Sequence, residues 1–118
     1  MTPIILEVTL TGATGESAAV SAPFGHIISG YIDYVGQSGN TADVTLINTV
    51  DSVERTVATI SNQNTDRVLT PIAQAHGADG ADVSGQYAAG WAIFGGTLHI
   101  EVAGAAAGSI RLTLNVLE

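Results

Sequence analysis

The chain has 118 residues, of which 46% are hydrophobic and only 12% charged, and its net charge is −8. That length fits one domain, because two separate cores would each bury too little surface. With no lysine, no cysteine and only Arg55, Arg67 and Arg111 as cations, the composition excludes a basic nucleic-acid surface, electrostatic adhesion to an anionic membrane, a disulfide framework, and thiolate or amine nucleophiles.

Such a surface is built from Thr, Ser, Asn, Gly and Ala. One reading is compositional drift, or a source with acidic proteins. The sharper reading is a surface packed against neighbours, since interfaces are depleted in Lys and Glu. The opening Met1-Thr2-Pro3-Ile4-Ile5-Leu6-Glu7 lacks the basic n-region and long apolar core of a signal peptide. No run reaches the roughly 18 apolar residues of a membrane span. The expectation is a chain made and folded in the cytoplasm.

In chain order, Leu6 to Thr11 alternates and reads as a first strand, followed by a turn at Gly12-Ala13-Thr14-Gly15. Ser17 to Ala22 suits a short edge strand before Pro23. His26 to Val35 is the longest β-rich run, with Gly30 marking a bulge or a close backbone approach. Ala42 to Ile47 reads as its hairpin partner. Arg55 to Ile60 is a further strand and Arg67 to Ile72 a weaker one. His76 to Gly90, rich in Gly, Ala and Asp and without a clear period, reads as a long surface loop or arm. Order resumes at Trp91-Ala92-Ile93-Phe94. Thr97 to Val102 and Ser109 to Val116 alternate across the small-residue loop Ala103–Gly108 and read as a closing antiparallel hairpin.

No segment has a helical period. Short strands with turns between them indicate an all-β fold: an antiparallel sandwich or jelly-roll-like barrel of about seven to eight strands. The expected core is Leu6, Val8, Leu10, Ile28, Ile32, Val44, Leu46, Val57, Leu98, Ile100, Val102, Ile110, Leu112, Leu114 and Val116.

Chemistry-bearing residues are sparse. His99 falls in the polar phase of its strand, as a solvent-facing or interface residue, and His26 precedes an apolar strand. His76, Asp79 and Asp82 offer oxygen and imidazole donors for Ca²⁺ or Zn²⁺, although Asp-Gly is also ordinary turn chemistry. Asp51 and Glu54 sit beside Arg55 on a connection and read as a solvated turn. No nucleophile elbow, phosphate loop or zincin helix is present, so no enzyme, catalytic residue or cofactor is expected. Tyr87, Trp91 and Phe94 cluster in sequence. They can stack on sugars, plug one end of a sandwich or bury at a subunit contact.

The order of Ile28-Ser29-Gly30-Tyr31-Ile32-Asp33-Tyr34-Val35, Asp43-Val44-Thr45-Leu46, a Gly/Ala/Asp-rich loop, Ala88-Ala89-Gly90, Leu98-His99-Ile100-Glu101-Val102-Ala103-Gly104 and a terminal strand resembles small β-rich virion proteins of tailed bacteriophages, some of them capsid decoration, or cement, proteins. The resemblance covers most of the chain by layout. It implies a structural protein on the outside of the capsid, bound to the major capsid protein and to itself as a homotrimer, with no catalytic residues. A clamp of this kind needs a rigid body and arms, expected at Met1–Ile5 and His76–Gly90, with Ile4, Ile5, Tyr87, Trp91 and Phe94 as interface candidates. The alternatives are a glycan-binding or adhesive module of a head fibre or tail, and another virion part such as a tail-tube or connector protein.

Overall fold

The computed structural model describes residues 4–12, 14–37, 41–76, 82–105 and 108–118, with side chains left aside between 72 and 89. Its strands are β1 (Ile4–Thr11), β2 (Gly15–Glu16), β3 (Val20–Ser21), β4 (Phe24–Val35), β5 (Ala42–Val50), β6 (Val53–Gln63), β7 (Arg67–Leu69), β8 (Ile72–His76), β9 (Asp82–Ala89), β10 (Trp91–Phe94), β11 (Thr97–Ala103) and β12 (Ser109–Leu117). They form an antiparallel β-sandwich, and the described residues contain no helix. The first sheet runs β1-β12-β4-β10, with β7 also paired to β4, and the second runs β2-β11-β5-β6, with β3 also on β11. β8 and β9 pair with each other. The strands outnumber the expected seven or eight because one edge of each sheet is assembled from short pieces, β7 and β10 on β4 and β2 and β3 on β11, and because β8 and β9 form a ribbon where a loop was expected.

Alternation puts one side of each long strand into the core. Val8, Leu10, Ile32, Val44, Leu46, Leu98, Ile100, Val102, Ile110, Leu112, Leu114 and Val116 are buried as expected, and Leu6 and Val57 pack against them half-buried. Ile28 is not core. Opposite β12, Asn115 pairs with Ser29 while the next residue, Val116, pairs with Ile27, so Ile28 is the extra residue of a bulge. The bulge reverses the side-chain phase, burying Ile27 completely and leaving Ile28 40% exposed. Gly30 marks a close approach instead, since a Cβ there would lie 3.0 Å from the Thr113 carbonyl oxygen.

Neither expected hairpin forms. β11 lies in the second sheet and β12 in the first, and the 26–35 and 42–47 runs are divided in the same way. Alternation says which face of a strand is buried, not which strand lies beside it. Small-residue loops can arch between sheets as readily as they turn within one. The tight hairpin is β5–β6, closed by Asp51 and Ser52 at φ 51° and 66°. Two consecutive positive values identify a type I′ turn, whose twist suits paired strands.

Candidate functional site

Three features of the surface carry functional potential: a self-paired ribbon, an aromatic corner and a cluster of ionisable groups around a buried histidine.

The segment expected as a loop at His76–Gly90 is a ribbon over most of its described length. β8 pairs antiparallel with β9 from Ile72↔Ala89 to His76↔Asp82. Its Gly, Ala and Asp content hid the strand, because small residues leave no apolar period to read. β7 and β10 occupy successive stretches of the same side of β4, at Gly30–Ile32 and Phe24–Ile27. The ribbon therefore leaves the body between them. Its root is fixed: the Gly90 N–H donates to the Pro71 carbonyl at 3.0 Å, and both residues are buried. Gly90 has φ 96°, and a Cβ there would meet the His26 Cβ and the Ile27 carbonyl at 3.2 Å. Glycine is required at this position for both reasons. Asp79 lies outside the described residues. His76 and Asp82 are cross-strand partners by backbone register.

Of the expected arm at the N-terminus, Ile4 and Ile5 belong to β1 and pair with Val116 and Asn115; residues 1–3 lie outside the description. Ile5 is 65% exposed, on the same outer face as Tyr31 and Val35. Across that face Arg111 joins three strands. Its Nη2 donates to Asp33 Oδ2 at 2.7 Å and its Nε lies 3.6 Å from Glu7 Oε1. The hydrogen bond to Asp33 raises the Arg111 pKa further above its ordinary value.

The proposed aromatic cluster is divided. Trp91 and Phe94 are three apart on β10 and point to opposite sides of it. Trp91 is half-buried against the core and lines an open cleft with Thr59, Gln63, Arg67 and Thr70. Phe94 pairs with Phe24 of β4, and both rings are largely exposed. The Arg55 guanidinium stacks 4.7 Å above the Phe94 centroid and donates to the Ala92 carbonyl. The side chain of Tyr87 lies outside the description.

His99 departs most from its expected setting. It is buried at 8% exposure beside its cross-strand neighbour Ile47, itself buried. Glu101, two residues on, shares its face of β11, and Glu16 of β2 lies directly opposite Glu101. One donor atom each from Glu16, His99 and Glu101 lie within 4.8 Å of one another. His99 Nε2 is 3.6 Å from Glu101 Oε1 and 3.8 Å from Glu54 Oε2, both beyond hydrogen-bond range. It is fully enclosed and has no hydrogen-bond partner among the described residues. The polar phase of the strand suggested exposure because alternation says nothing of what covers the outer face. The signal that was present is the His-x-Glu spacing, which puts two donor groups on one face of a strand. His26, by contrast, is exposed.

No family model, no curated protein and no solved structure matches this chain.

Proposed function

We propose that this chain is a structural virion protein that seats on the outside of a phage capsid at lattice junctions and stabilises the shell. In this reading it is a decoration protein, homotrimeric, with the major capsid protein as partner. The observation that carries the reading is the β8–β9 ribbon, which pairs with itself and is rooted on a buried, hydrogen-bonded base. A strand of eight residues spans roughly 26 Å at about 3.3 Å per residue. That reach lets a rigid body on one capsomer engage another. Surfaces low in charge and free of lysine agree with burial between subunits. Repetition over a lattice makes weak single contacts sufficient.

The test is copy number. Phage particles are purified from cells that make the protein, and it is quantified by mass spectrometry against the main shell protein. A ratio near one, or a simple fraction of it, is expected. A handful of copies would move the protein to a vertex, connector or tail, and complete absence would remove the virion reading.

A second reading, a glycan-binding module, is favoured by the Trp91 cleft. There an indole is flanked by the polar side chains of Thr59, Gln63, Arg67 and Thr70, as sugar stacking requires. It predicts that Trp91 fluorescence responds to a bound oligosaccharide, and an unresponsive Trp91 removes it.

A further inference from the structure

We infer that Glu16, His99 and Glu101 form a binding site for a divalent transition-metal ion, Zn²⁺ in the first place, on the outer face of the second sheet. Two independent observations meet there. The first is placement: the three donor groups converge within 4.8 Å, and the Glu54 carboxylate is close enough to His99 to join them. The second is an orphaned atom. Among the described residues His99 Nε2 is buried without a hydrogen-bond partner, and it faces these carboxylates.

Each observation is unfavourable in an empty site. An enclosed imidazole nitrogen that bonds to nothing carries an unmet desolvation cost. Two glutamates directly opposite on neighbouring strands repel. No arginine relieves them: the guanidinium of Arg55, next to Glu54 in sequence, is turned onto Phe94, and among the described residues the basic nitrogen within 4 Å of Glu54 and Glu101 is His99 Nε2, at 3.8 and 3.6 Å. A cation answers both problems at once, accepting the nitrogen lone pair and neutralising the carboxylates.

The spacing suits a small tetrahedral ion. Bonds of about 2.1 Å to nitrogen and oxygen put neighbouring ligands roughly 3.4 Å apart. The 3.6 Å between His99 Nε2 and Glu101 Oε1 needs little adjustment. The imidazole decides the class of ion, because nitrogen favours zinc and its neighbours whereas calcium takes oxygen alone. The ion would join the two-residue strand β2 to β11 by side chains as well as by backbone, pinning β2 to the sheet.

The experiment is isothermal titration of the chelator-treated full chain with Zn²⁺ and, separately, Ca²⁺, with thermal melts of the same samples. One Zn²⁺ per chain is expected, together with a melting temperature that rises with Zn²⁺ concentration, as for any ligand of the folded state. Glu16→Gln, an exposed change on a short edge strand, is expected to fold normally and weaken Zn²⁺ binding by roughly an order of magnitude or more. His99→Gln is expected to abolish the binding. The inference is overturned by the absence of binding to the wild-type chain, by Ca²⁺ binding more tightly than Zn²⁺, or by a folded Glu16→Gln variant that binds Zn²⁺ like the wild type.

Discussion

The side-chain oxygen of Asn48 accepts a hydrogen bond from the Phe94 backbone N–H at 3.0 Å, tying the second sheet to the first. The same amide donates to the carbonyls of Gly95 at 2.8 Å and Thr97 at 3.0 Å. Asn48 is buried at 1% exposure and its bond to the Gly95 carbonyl is enclosed, so that carbonyl at least has no water to turn to. Asn48→Leu keeps the approximate volume but leaves these backbone groups unpaired. It is expected to destabilise the fold by about 2–4 kcal/mol, read as a lower urea midpoint at unchanged slope. Asn48→Asp keeps the acceptor and loses both donations, and should be at least as damaging.

Tyr34 offers the opposite case. Its hydroxyl is enclosed with no partner among the described residues, so Tyr34→Phe removes a buried polar group that gains nothing from those neighbours. A stability increase of about 0.5–1 kcal/mol is expected near neutral pH, measured by urea unfolding.

The same residue sets an alkaline limit. Burial raises the Tyr34 pKa above its ordinary 10.0, against the lowering effect of Arg67 and with a further rise from Asp66. A folded-state value above the unfolded one means that the native chain holds the proton more tightly. The contribution is intact below the unfolded value and is lost as pH rises through the folded value. Wild-type stability is therefore expected to fall above about pH 10, and Tyr34→Phe to lose that part of the fall. Identical alkaline profiles for the two proteins would contradict it.

The class of fold was legible because one physical fact dominates these strands: a half-buried strand must alternate. Leu112, Leu114 and Val116 were placed correctly on that basis alone. Pairing was not legible, because β11 and β12 alternate equally well whether they lie side by side or in opposite sheets. The ribbon was hidden by its small residues. His99 was placed on the correct face of β11, but its burial there comes from neighbours on other strands, Ile47 and Glu54, a tertiary circumstance that a single strand does not encode.

If the ribbon is the reaching arm, it should be separable from the body. Pro71 and Gly90 are already hydrogen-bonded to each other, so residues 72–89 can be replaced by a Gly-Ser pair without moving the strands on either side. The shortened chain is expected to melt within a few degrees of the wild type, because β8 and β9 pair with each other rather than with the two sheets. Shell binding, measured by co-sedimentation with capsids, is expected to be lost. Retained binding would assign the contact to another surface, and a collapse in melting temperature would make the ribbon part of the folding unit.

The bulge in β4 makes a sharp demand on neighbouring residues. Ile27 is fully buried and Ile28 is 40% exposed, although a strand without the bulge would allow Ile28 the core position that its spacing from Ile32 suggests. A charge at a core position has no partner and costs several kcal/mol, a large part of the stability of a domain this size. Ile27→Asp and Leu112→Asp are therefore both expected to abolish soluble folding. Ile28→Asp, on the water side of the bulge, should cost about 1 kcal/mol or less. Circular dichroism and size-exclusion chromatography of the three variants decide the matter. If Ile28→Asp fails to fold while Ile27→Asp survives, the bulge lies elsewhere and the phase of the whole N-terminal half of β4 is reversed.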